Sequence, residues 1–154
     1  MALRRLTILG GLYWAFALST HGQCALEDPR SSKASKWLER AQSPKPKDSL
    51  EDRMAAVQEA LELHADDPEA WMMLAEFQFK ALRRGRMGWE GLLESLRSAE
   101  ELCPEGMPEA TYMRAAYHYS QEAYARALGG FQDYLTVDAS LTRTARRKDA
   151  GAIL

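Results

Sequence analysis

Ala60-Leu61-Glu62-Leu63-His64-Ala65-Asp66-Asp67-Pro68-Glu69-Ala70-Trp71 holds the end of one helix, a turn and the start of the next. Upstream, Met54, Val57 and Leu61, with Ala56 and Ala60, recur at helical spacing and form one apolar face. Asp48 or Ser49 suits the N-cap of that helix, and Glu51 and Asp52 suit the positive end of its dipole. The run ends near His64. Asp66-Asp67-Pro68 then opens a second helix, with proline in the first turn, where its missing N–H costs nothing. That helix carries Trp71, Leu74, Ala75, Gln78 and Leu82, and Phe77 and Phe79 widen its apolar surface.

Further from this junction the pattern repeats. Arg83-Arg84-Gly85-Arg86-Met87-Gly88 is a basic loop with two glycines. A helix over about 89–102 places Leu92, Leu93, Leu96 and Ala99 inward, and Pro104, Gly106 and Pro108 break it. Residues 109–121 and 123–135 predict two more helices. Towards the N-terminus, Ala34, Trp37, Leu38 and Ala41 predict a short helix over 33–42, stopped by Pro44 and Pro46. Residues 141–154 predict a partial helix. No run alternates with period two while rich in branched side chains, so the expected class is all-α.

Short helices joined by short turns call for a test of internal period. The Ala60–Trp71 phrase recurs as Ala99-Glu100-Glu101-Leu102-Cys103-Pro104-Glu105-Gly106. Ala115 takes a small-residue position where two helices touch, and Tyr124, Ala127, Phe131 and Tyr134 follow at the spacing of a second helix. Ala75 matches Ala115 in the preceding pair, with Trp89, Leu92, Leu96 and Ala99 in its second helix. These residues resemble tetratricopeptide repeats. The resemblance implies a right-handed stack of antiparallel helix pairs, in which small residues allow close approach and Tyr124 and Phe131 fill the space between successive pairs. The first pair is worn, with 33–42 as partner to the helix that starts at residue 50. The order of features over residues 23–135 is similar to the N-terminal repeat region of Bacteroidetes envelope proteins that continue into a β-propeller and an OmpA-like domain. Some of those proteins serve the type IX secretion and gliding machinery. The sequence to Leu154 contains neither later domain, so wall anchoring does not come with the resemblance. A short relative or a piece of a longer protein is expected.

The chain begins with the layout of a secretory signal peptide. Arg4 and Arg5 precede the uncharged apolar run Leu6-Thr7-Ile8-Leu9-Gly10-Gly11-Leu12-Tyr13-Trp14-Ala15-Phe16-Ala17-Leu18, and small or polar residues follow. Cleavage is expected near Gly22. An uncleaved anchor and lipidation at Cys24 are the alternatives, and His21-Gly22-Gln23 is a poor lead-in for a lipid. The expected organisation is thus a signal peptide over 1–22, a polar segment with one short helix over 23–47, repeats over 48–136 and a basic segment over 137–154. Export makes a Cys24–Cys103 disulfide possible, since these are the chain's two cysteines; two unpaired thiols are the other reading.

Of 154 residues, 20 are Lys or Arg and 22 are Asp or Glu, a formal charge of −2. Removing residues 1–22 takes two arginines and no acid, leaving −4. Such balance gives no case for a nucleic-acid partner. His21, His64 and His118 do not cluster, the adjacent acids Asp66-Asp67 and Glu100-Glu101 point in different directions on a helix, and Gly85 and Gly88 lack the strand and the lysine-serine ending of a phosphate loop. No enzyme, metal or cofactor is expected. Two binding surfaces are. By repeat position, Met72, Glu76, Phe79, Tyr112, Ala116 and Tyr119 should line an inner groove that captures a peptide or helix from a protein partner in the cell envelope. Arg83, Arg84 and Arg86, with Arg143, Arg146, Arg147 and Lys148, form basic patches. The leading expectation is a periplasmic or outer-membrane-peripheral scaffold, part of an envelope or secretion complex. The alternative is a wall-associated structural protein that uses its basic C-terminal segment. Salt-sensitive sedimentation with insoluble wall, in the absence of any protein partner, would favour the second.

Overall fold

The computed structural model describes residues 29–104 and 107–136. The proposed signal peptide, Cys24 and the basic segment over 137–154 lie outside the described residues. Six helices follow one another: α1 (Ser32–Gln42), α2 (Leu50–Leu63), α3 (Pro68–Arg83), α4 (Trp89–Leu102), α5 (Pro108–Ser120) and α6 (Tyr124–Thr136). No strand occurs among the described residues. The class is all-α.

Each boundary has a local cause. Ser31 caps α1 by accepting from the Ala34 N–H. At α2, Ser49 and Asp52 form a reciprocal box: the Asp52 N–H donates to Ser49 Oγ at 3.1 Å, and the Ser49 N–H donates to Asp52 Oδ2 at 2.8 Å. Asp67 caps α3 through the Ala70 N–H at 3.0 Å, directly before Pro68. α3 ends where Gly85 turns left-handed, at φ 67°, and the Arg86 N–H returns to the Ala81 carbonyl. α5 ends the same way through Glu122, at φ 59°, a conformation glycine would hold without strain.

The helices pair as α1 with α2, α3 with α4 and α5 with α6. α5 and α6 run antiparallel, since Tyr119 near the end of one meets Tyr124 at the start of the other, while Tyr112 meets Tyr134 at the opposite ends. α3 joins the pairs. Successive residues on a helix are ~100° apart, so positions two apart face nearly opposite ways. Ala70, Leu74, Phe77 and Ala81 accordingly enter a core with α1 and α2, around Leu38, Ala41, Val57 and Leu61. Met72, Ala75 and Phe79 enter a second core with α4, α5 and α6, around Leu92, Leu96, Tyr112, Met113, Phe131 and Tyr134. In the first core the Arg53 guanidinium lies 4.3 Å from the Phe77 ring centroid, and its Nε donates to the Ala41 carbonyl at 2.7 Å. In the second, Phe79 meets Tyr112 edge to face at 6.0 Å, and Tyr112 packs against Phe131 at 5.8 Å.

Ala115 lies at a close helix crossing. A Cβ built on Gly130 of α6 would come 2.9 Å from the Ala115 Cβ, closer than carbon atoms tolerate. The neighbouring Gly129 has open space around it. Two adjacent glycines of one helix therefore respond oppositely to the same change. Gly129→Ala should stabilise the fold by about 0.5–1 kcal/mol through helix propensity. Gly130→Ala should lose that gain, and by about 1 kcal/mol or more, because the crossing must open. Urea midpoints for the two variants measure the difference directly.

Phe131 fills the core as its repeat position suggests, but Tyr124 does not: it is 58% exposed. α6 is the last described helix, and Tyr124 sits in its first turn, beyond the end of α5, where only the Tyr119 ring meets it at 5.7 Å.

Candidate functional site

The six positions assigned to an inner groove divide by burial. Met72 and Phe79 on α3 and Tyr112 on α5 are buried within the second core. A residue that fills the joint between helix pairs cannot also present its side chain to a partner, so these three are structural. Glu76 and Ala116 are half-buried, and Tyr119 is exposed. Of the six, Glu76, Ala116 and Tyr119 keep accessible surface, and Tyr119 meets the exposed Tyr124 ring at 5.7 Å.

A larger concavity lies elsewhere. A cleft of about 560 Å³ opens between the second helices of the first two pairs, with α3 between them. Three stripes at helical spacing line it: Gln58, Leu61 and Glu62 from α2, Trp71, Leu74 and Gln78 from α3, and Gly91, Glu94 and Ser95 from α4. Leu61, Leu74 and Trp71 supply its apolar part. Gln58, Glu62, Gln78, Glu94 and Ser95 supply polar groups. Its volume falls in the range of ordinary binding pockets, ~300–1,000 Å³.

Trp71 is fixed in place, its indole N–H donating to the Ala65 carbonyl at 2.8 Å across the α2–α3 turn. Gln78 is only 9% exposed, and its Oε1, sealed from solvent, accepts from no donor among the described residues. A buried amide oxygen without a donor is costly to the fold. Gly91 of α4 lies beside it: a Cβ there would meet Gln78 Nε2 and the Met87 methyl at 3.5 Å, ordinary contact. Gly91→Ala should therefore fold normally, gain about 0.5 kcal/mol from helix propensity and narrow the cleft. A thermal melt that rises while ligand capture falls would show that Gly91 serves the cleft and not the fold.

The two helices that flank the cleft carry an excess of acids, of which Glu62 and Glu94 line it. α2 and α4 together carry Glu51, Asp52, Glu59, Glu62, Glu90, Glu94, Glu100 and Glu101 against Arg53 and Arg97. Arg53 is already engaged with Phe77 and the Ala41 carbonyl. Glu51 is paired with Arg86 at 2.9 Å. Its own helix backbone and Arg86 hold its carboxyl below the usual range. Arg86 thus reaches from the basic loop to α2, and Arg83, Arg84 and Arg86 are all exposed. Glu100 meets Arg114 of α5 through both carboxylate oxygens, the Nε bonds being 2.7 and 3.0 Å long. That bond is the main reason the Arg114 guanidinium is held still more firmly protonated. Glu62 and Glu94, by contrast, lie on opposite walls of the cleft, and no cation is among its lining residues.

Asp67, at the start of α3, carries a second contact that the sequence does not announce. The Arg30 guanidinium, ahead of α1, bonds to both Asp67 oxygens, one at 2.8 Å, and reaches Glu69 as well. Burial pushes the Asp67 carboxyl up, but the Arg30 bond and the Ala70 N–H outweigh it and hold the carboxyl below its usual range.

His118 is half-buried, its ring 5.6 Å from Tyr117. Cys103 is buried at the end of α4, in the second core. Among the described residues no group of three His, Cys, Asp or Glu side chains is placed to hold a metal ion, and no helix is long and apolar enough to cross a membrane. No protein-family model matches the chain, and no curated protein matches it.

Sequence reasoning missed the cleft. Two signals pointed to it: polar Gln78 and Ser95 in otherwise apolar stripes, and Gly91 inside a helix. Neither says which helices meet, and that decides whether such residues share a surface.

Proposed function

We propose that the chain is an exported, non-catalytic protein-interaction module, a short tetratricopeptide-like stack that docks a partner protein of the cell envelope or a secretion complex. The observation that carries this reading is the cleft between α2, α3 and α4. It is concave and lined by apolar and polar side chains together, a mixture that a docking surface can use. The half-exposed surface around Glu76, Ala116 and Tyr119 is a second contact on the first helices of the pairs. Export rests on the N-terminal sequence. It carries with it a Cys24–Cys103 bridge, which would tie the processed N-terminus to the second core. Thiol labelling of unreduced, denatured protein tests the bridge; two reactive thiols on the processed chain would rule it out.

The docking surface is tested by placing a photo-crosslinking residue at Gln58, on the cleft rim, and at Ala125, exposed on α6. After irradiation with envelope extract, a discrete protein adduct is expected from position 58 and none from position 125. Equal or absent adducts at the two positions would remove the cleft as the docking surface.

A further inference from the structure

We propose that the end of the stack formed by the α1–α2, α3–α4 and α5–α6 turns is a docking face for an anionic lipid bilayer. Contacts between helices bring these turns to one end. Arg53 at the start of α2 donates to the Ala41 carbonyl at the end of α1. Arg86 of the α3–α4 loop meets Glu51 of α2 at 2.9 Å. Trp89, which opens α4, packs against Tyr117 near the end of α5 at 5.4 Å.

Charge divides between the two ends. Over residues 40–53, 80–90 and 118–126, this end holds nine lysines and arginines against five acids. The opposite end, over 30–36, 59–69, 97–104 and 107–114, holds five against eight. Arg40, Lys45, Lys47, Arg83, Arg84 and Arg126 are all exposed. Of the five acids, Glu51 is paired with Arg86 and Asp52 is engaged in the α2 cap. A chain of formal charge −2 thus presents a cationic face.

Exposed aromatic rings share that face. Tyr119 and Tyr124 flank the α5–α6 turn at 51% and 58% exposure, more than any other large hydrophobic side chain described, and their rings meet edge to face at 5.7 Å. Such rings favour the headgroup level of a bilayer, with the hydroxyl in water and the ring among acyl carbons. Cations beside them attract anionic headgroups, each Lys or Arg near the surface adding about fivefold in affinity. The cations are spread over the turns of three helix pairs and none lines the cleft, a distribution that suits an extended charged surface better than a single acidic side chain. The face shares no residue with the cleft, so it stands or falls apart from protein docking there.

The test is co-sedimentation of the full processed chain with phosphatidylcholine vesicles, with and without about one-third phosphatidylglycerol. Binding is expected to the anionic vesicles, at least roughly tenfold weaker to the neutral ones, and lost as salt rises from about 0.1 to 0.5 M. R83Q/R84Q should weaken binding roughly tenfold or more. K33Q/K36Q removes the same charge from exposed positions at the opposite end and should change it less than about twofold. Y119S/Y124S should weaken it about fivefold while keeping the salt dependence. Equal loss from R83Q/R84Q and K33Q/K36Q would show that net charge, and not this face, binds, and would overturn the proposal. So would binding that survives R83Q/R84Q but is lost in R146Q/R147Q, which would place the contact in the C-terminal segment. Binding to polyglutamate without binding to vesicles would assign the face to an acidic protein and overturn it as well.

Discussion

Phe131→Ala should cost about 3–5 kcal/mol and lower the melting temperature by roughly 10 °C or more. Phe131 is buried at the centre of the second core, its ring against Tyr112, which also meets Tyr134 and Phe79. Removing it empties space beside the Tyr112 ring, and a rigid ring collapses poorly into a void. Tyr124→Ala, at an aromatic position about two turns away on the same helix, should stay within about 0.5 kcal/mol of the parent because Tyr124 is exposed. Chemical denaturation of the two variants checks both. A similar loss from each would mean that α6 is not seated as described.

Asp67→Ala should cost about 2–4 kcal/mol, a large effect for a residue in a turn. Two contributions add. The N-cap of α3 is lost, worth ~1 kcal/mol, and the Arg30 guanidinium is left partly buried without its main partner. Arg30 keeps some access to water and to Glu69, which holds the loss below that of a fully buried pair. The pH dependence follows from the depressed Asp67 carboxyl. The unfolded chain takes up a proton there before the folded chain does, so the stabilisation is complete above the usual carboxylate range. It is lost as pH falls through the depressed value. The difference in unfolding free energy between the parent and Asp67→Ala should therefore shrink on acidification below about pH 4. A difference that stays constant down to strongly acid pH would show that the Arg30 contact does not form.

Element boundaries were legible because their causes are local. Pro68 and Pro108 open helices, Gly85 closes one, and Ser49 with Asp52 writes a capping box into four residues. The small-residue crossing at Ala115 was legible for the same reason: the spacing names the position, and Gly130 opposite it completes the contact. The site was less so. α3 is apolar on two faces, and the sequence does not say which faces meet which neighbours. Met72, Phe79 and Tyr112 look like groove residues until the shared core, with its Phe79–Tyr112 ring contact, shows them closing the joint between pairs. Arg30 and Asp67 are 37 residues apart with no periodic signal between them. The cleft depends on three helices at once, so its polar residues look like ordinary surface until those helices are brought together.

α3 lies between two cores, and only in that arrangement does its Trp71, Leu74 and Gln78 stripe line the cleft. Side-chain NOE spectra of the processed protein test this most directly. Cross-peaks from Phe77 to Arg53 and from Phe79 to Tyr112 are expected together in one sample, reporting the two sides of the same helix. Helical sequential contacts accompanied by only one of these sets, or by neither, would contradict it.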